Sequence, residues 1–178
     1  MSTTASAEAK VSPEFAVGTR EFVLMGIEAE IPKTMAVIAA VPDAKRDWKP
    51  DPASRSAWDL AWHLASEDVI FLVQTTEGKF AFPDTRFDAQ KPNTSAELAI
   101  WYQHAMKEAI AKVRKMTPQQ LTTPIDFLGM FKFPAFAYLG FMNSHSIHHR
   151  GQLSVYLRPM GSKVPSIYGP SADDSGGM

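Results

Sequence analysis

An all-α fold, a four-helix bundle with a long crossover between its second and third helices, is predicted by three observations. Four long stretches carry apolar residues at helical spacing, each bounded by Ser, Thr, Pro or Gly. No stretch alternates convincingly as a strand would. At 178 residues with 45% hydrophobic and 21% charged content, the chain has the size and composition of one globular domain.

Residues 1–13 are small and polar and read as a mobile arm closed by Pro13. From Glu14 to Val41, Phe15, Phe22, Met25, Ile27, Ile31, Met35 and Ile38 recur at helical spacing. Pro32 lies within that run and is expected to kink or split the helix, because it removes one backbone donor. Residues 42–52 hold three prolines and form a loop. Ser54 or Ser56 caps the second helix, which runs to about Thr75 and ends at Glu77-Gly78. Residues 78–93, with two prolines and three phenylalanines, make the crossover. It can span the bundle's length, so up-down-up-down order is not required.

Thr94 or Ser95 with Glu97 starts the third helix, and Thr117-Pro118 stops it. Residues 119–133 read as irregular. The fourth helix opens near Pro134 and closes at about Arg158, before Pro159 and Gly161. The domain is taken as 14–170, with 171–178 a coil tail rich in Ser, Gly and Asp.

Several functions are excluded or disfavoured. With no cysteine, the chain has no disulfide, thiolate metal site or cysteine nucleophile. A net charge of −1 without a dense basic run argues against nucleic acid as a partner. The N-terminus lacks a basic region followed by an apolar run, and no eighteen-residue apolar window exists, so neither secretion nor membrane insertion is expected. These features point to a cytoplasmic protein.

Three of the five histidines fall within Asn143-Ser-His-Ser-Ile-His-His-Arg-Gly-Gln152. His145 and His149, four apart, lie about 40° from each other around a helix, so their rings can share one metal ion. Burying such groups costs about 1–3 kcal/mol each without partners, and a cation would be a partner for two. His148, about 100° from His149, is placed outside the ligand set. His63, in a polar strip of the second helix with Asp59, Ser66 and Glu67, is the best third ligand. Either Asp59 or Glu67 can accept its second ring proton. His104 has no partner at metal spacing and is expected to be structural or exposed. Gln152 and Tyr156 follow His149 on one face and can contact substrate or bound water. Glu67 is a candidate general base. Arg150, about 140° from His145, suits a salt bridge to another helix or subunit. Tyr168 is a candidate to fold over the pocket mouth.

The segments Ser56-Ala-Trp-Asp-Leu-Ala-Trp-His63-Leu-Ala, His145-Ser-Ile-His-His149-Arg-Gly-Gln152 with Val155-Tyr-Leu-Arg158 and Gly161, and Val164-Pro-Ser-Ile-Tyr-Gly169 resemble the DinB-like (damage-inducible) superfamily. The likeness runs over roughly residues 14–170. It implies a four-helix bundle, often a homodimer, that holds zinc or nickel on His63, His145 and His149. It further implies a metal-dependent hydrolase or thiol-dependent S-transferase acting on a small molecule. Without cysteine in the chain, a thiol reaction needs a low-molecular-weight thiol as co-reactant. The alternative is a non-catalytic bundle in which metal only ties two helices together, serving ligand binding or dimerisation.

Overall fold

The computed structural model describes residues 11–173. Residues 1–10 of the expected arm and 174–178 of the expected tail lie outside the described residues. The chain runs α1 (Pro13–Ala39), α2 (Ala57–Glu77), α3 (Ser95–Arg114), a short α4 (Pro118–Thr122), strands β1 (Pro124–Phe127) and β2 (Phe131–Pro134), and α5 (Ala135–Leu157).

Local chemistry sets the helix ends. Ser12 accepts from the Phe15 amide at the start of α1, and Ser56 does the same for Asp59 at the start of α2. Gly78, in the left-handed region at φ 71°, closes α2. Thr94 and Glu97 form a reciprocal capping box at α3. α1 continues through Pro32 as one helix. Carbonyls beside the interruption gain side-chain donors: Lys33 Nζ reaches the Ala29 oxygen at 3.1 Å, and Arg150 reaches that of Glu30 at 3.4 Å. Of the expected apolar run of α1, Ile27 and Ile38 are buried and Ile31 and Met35 pack against the core, and the difference lies in the other three. Phe15, Phe22 and Met25 are exposed, while Ala16, Leu24, Ile27, Val37 and Ile38 enter the core.

The helices close a ring in which α1 packs on α3, α3 on α2, α2 on α5 and α5 on α1. Trp62 meets Trp101, and Asp68 meets Tyr102, so α2 and α3 run parallel. The crossover accordingly returns along the bundle, placing Lys91 beside Asp59 and Trp58 near the start of α2. The His63–His149 and Phe71–Phe141 contacts show that α5 runs antiparallel to α2.

Residues 119–133 are ordered rather than irregular. They form the end of α4 and an antiparallel hairpin pairing Ile125 with Phe133 and Phe127 with Phe131. Its turn uses Leu128 and Gly129 at positive φ, and Asp126 accepts from the Gly129 amide at 2.8 Å. Ile125 and Phe127 are buried, and Phe127 packs in a cluster with Phe71, Phe80 and Tyr138. Among the described residues no helix is long and apolar enough to cross a membrane.

Candidate metal centre

α2 and α5 bring His63, His145 and His149 together. Each ring offers one nitrogen, and all three lie within 4.8 Å of one another. The ring centroids are 5.2 Å (His63–His145), 4.6 Å (His63–His149) and 4.3 Å (His145–His149) apart. The four-residue spacing on α5 puts two rings on one face, and the antiparallel α2 supplies the third from across the helix interface.

Hydrogen bonds on the far side of two rings fix which nitrogen faces inward. His149 Nδ1 lies 2.7 Å from Gln152 Oε1, an acceptor, so Nδ1 carries the proton and Nε2 keeps its lone pair. His63 Nε2 stands 3.3 Å from that Nε2. His145 turns Nδ1 toward Asp68 Oδ1 at 3.4 Å, which leaves its Nε2 for the cluster. Asp68 is fully buried at the α2–α3–α5 junction, where the Tyr102 hydroxyl donates to its other oxygen at 3.0 Å. A carboxylate behind an inward-facing imidazole is the usual support of a metal-ligating histidine.

The electrostatics favour neutral rings. Burial, then Arg55 and the two neighbouring rings, pulls His63 down to about 3. Burial also takes His149 down to about 4, against the raising effect of its Gln152 bond, with further lowering from His145, His148 and Arg55. Both are therefore unprotonated lone-pair donors at neutral pH. Glu67 lies beside the rings, and burial raises its carboxyl above the ordinary range. Burial likewise raises Asp68, although His145, Ser146 and Tyr102 bond to it.

Two nitrogens each about 2.0–2.1 Å from one tetrahedral ion stand about 3.3–3.4 Å apart. The His63–His149 separation of 3.3 Å meets that requirement, and three neutral imidazoles are a suitable donor set for a divalent transition metal.

Other expected residues settle as follows. Glu67 Oε1 is 4.0 Å from His63 Nδ1, longer than a hydrogen bond. Asp59 turns away to the Ser56 hydroxyl at 2.7 Å and Lys91 at 3.9 Å. Gln152 is exposed and Tyr156 half-buried on the triad's face of α5. His148 and His104 are exposed, and His148 is not among the three grouped donors. Arg150 joins another helix: it is 1% exposed, 2.5 Å from Glu30 Oε2, and bonds Thr34 Oγ1 at 3.2 Å. Tyr168 does not cover the triad. Its hydroxyl accepts from Arg150 at 2.6 Å and donates to Glu30 at 2.8 Å, on the other side of α5.

The sequence profile of the DinB family matches residues 23–176. The chain belongs to the DinB family. It is 31% identical to YjoA, an uncharacterized protein of Bacillus subtilis (strain 168), over 123 residues, covering 68% of this chain and 77% of YjoA. It is 29% identical to the uncharacterized YrdA of the same organism over 116 residues, 65% of this chain and 67% of YrdA. The crystal structure of a DinB-like protein from Bacillus cereus ATCC 10987 superposes with a TM-score of 0.69 at 26% identity, over 83% of this chain and 97% of that one. The B. subtilis YjoA structure gives a TM-score of 0.63 at 23% identity, over 86% and 99%, which bears on the fold alone.

Proposed function

We propose that this protein is a metal-dependent enzyme acting on a small molecule, a hydrolase or thiol-dependent S-transferase, with His63, His145 and His149 as ligands of one divalent ion. The supporting observation is the pair of Nε2 atoms 3.3 Å apart, one of them held as a lone-pair donor by Gln152. Without a shared cation, at most one proton could bridge two such atoms.

Zinc or nickel bound there would supply Lewis-acid activation of water, or of a diffusible thiol, at neutral pH. The protein's own residues do the rest. Asp68 and Gln152 orient His145 and His149. Glu67, whose raised pKa brings it closer to neutrality, takes a proton from the nucleophile at its carboxylate oxygen. Gln152 and Tyr156 contact the substrate from the α5 side. Three grouped protein donors leave a tetrahedral ion one position for an exogenous ligand, which favours catalysis over a purely structural tie between helices.

The test is elemental analysis of purified and zinc- or nickel-reconstituted protein, followed by a turnover screen pairing low-molecular-weight thiols with small electrophiles. One equivalent of metal and turnover that requires it are expected. Absence of stoichiometric metal after reconstitution would overturn the metal assignment. Metal without any turnover across hydrolytic and thiol substrates would replace the enzyme by a metal-tied binding module.

A further inference from the structure

A groove of about 400 Å³ lies between the C-terminal half of α5 and the loop before α2, a volume in the range of small-molecule sites. Trp48 and Pro50 of the loop and Val155 and Tyr156 of α5 line it, with Ser54 and Gln152 as polar side chains beside them. The Trp48 and Tyr156 rings pack edge to face at 5.3 Å. Backbone bonds pin the loop to the start of α2: the Ala57 amide donates to the Trp48 carbonyl at 2.9 Å, and the Trp58 amide to that of Arg46 at 3.0 Å. The aromatic wall is therefore built into the fold.

Gln152 joins the groove to the triad. Its Oε1 accepts from His149 Nδ1 at 2.7 Å, and its NH₂ has no protein acceptor among the described residues. A ligand oxygen that takes this donor stands one side chain away from a metal-ligating imidazole. No charged side chain lines the groove. Lys49, between Trp48 and Pro50 in sequence, and Arg55, next to Ser54, are both exposed and outside the lining. Cations in open water are screened and hold an anion weakly, whereas a charged ligand would shed hydration to lie on these rings.

We propose that the groove selects an uncharged substrate that carries an aromatic ring and a carbonyl oxygen, an aryl amide or ester by chemical class. The ring lies against Trp48 and Tyr156, and the carbonyl oxygen accepts from the Gln152 NH₂ beside the triad. Ring-to-ring contacts add to the apolar burial that an aliphatic chain of similar size would also gain, so the wall discriminates between the two. This specificity rests on the metal-dependent reading of the same site.

The test is an NMR titration of the full-length protein, metal-free and zinc-loaded, with 3-phenylpropionamide, the aliphatic hexanamide and the anionic 3-phenylpropionate. The aryl amide is expected to bind about fivefold more tightly than hexanamide and no less tightly than the acid, with shifts at the Trp48 indole and the Gln152 side-chain amide. Val155→Asp, at a 73% exposed position, should weaken the aryl amide about threefold without threatening the fold or the zinc stoichiometry. Lys49→Gln and Arg55→Gln should leave its affinity unchanged. In cobalt(II)-loaded protein the bound aryl amide should show paramagnetic relaxation, strongest at the methylene next to its carbonyl. Equal affinity for the aryl and aliphatic amides, tighter binding of the acid, shifts confined to other parts of the chain, or a bound ligand that feels no paramagnetic effect from cobalt in the site would overturn the proposal. Metal content measured on the same samples separates the two readings. Zinc bound without ring preference removes the specificity alone, and ring preference without zinc uptake removes the metal centre but keeps the groove.

Discussion

The two sides of α5 treat buried polar groups in opposite ways. On one side Arg150 is almost wholly enclosed, and its donors are matched to the Glu30 carboxylate and carbonyl, the Thr34 hydroxyl and the Tyr168 hydroxyl. On the other, one residue away in sequence, His149 directs a lone pair at His63 and has no acid against that nitrogen. The first arrangement is complete in itself and joins α1, α5 and the C-terminal segment. The second is complete only with a cation added. A closed ionic cluster is a structural device, and an array of inward lone pairs is a receptor; the helix carries both because its faces point to different neighbours.

That contrast can be broken at its open side first, where the largest effect is expected. His149→Ala or His63→Ala should abolish stoichiometric zinc or nickel binding, measured by elemental analysis after reconstitution, whereas His104→Ala should retain it. The closed side comes next. Arg150→Ala leaves the Glu30 carboxylate with Lys33 at 2.7 Å and the Tyr168 hydroxyl, but removes the buried tie between α1 and α5, and should lower stability by about 1–3 kcal/mol in urea denaturation. Replacing both, as Arg150→Met with Glu30→Leu, should recover part of that loss.

Asp68→Asn should sharpen the distinction. It removes charge behind His145, so metal affinity by chelator competition should fall about 10- to 100-fold. The metal-free protein should lose no stability, because a buried carboxylate has been replaced by a neutral isostere; matching losses in both measurements would make Asp68 merely structural.

The remaining effect is with pH. His63 and His149 are depressed from 6.5 to about 3 and about 4 in the fold. Below 6.5 the unfolded chain therefore binds protons that the native rings refuse. Their contribution to metal-free stability is complete above pH 6.5 and drains as the pH falls through about 4 for His149 and about 3 for His63. Glu67 and Asp68, raised by burial, act in the opposite sense. The relevant measurement is thus the difference in pH slope between wild type and His63→Ala; an unchanged slope would contradict the neutral, desolvated rings.

The triad was legible in the sequence because helical spacing alone aligns His145 with His149, and a third histidine lay in another apolar helix. Asp68 was not. Next to Glu67 it reads as one more surface acid, and only the approach of Tyr102 and His145 from two other helices makes its burial sensible. The expected acid partners of His63 failed for a related reason. Asp59 is drawn to its own helix cap and to Lys91, which the crossover delivers. Strands of four residues are too short to reveal alternation, so the hairpin escaped notice, although Ile125 and Phe127 do alternate with exposed neighbours. Pro32 does not split α1, because the loss of one backbone donor within a helix of 27 residues leaves the turns on either side to continue it.

Placing every donor on two directly packed helices has a consequence for how the chain tolerates changes of length. Residues between Gly78 and Pro134 supply no imidazole to the cluster, so the crossover and hairpin can grow or shrink as long as α3 stays seated. One residue inserted between His145 and His149 would instead swing one ring by about 100° and dismantle the cluster. Insertions and deletions among relatives that share the cluster should therefore gather outside α2 and α5, with the interval from His145 to His149 fixed at four.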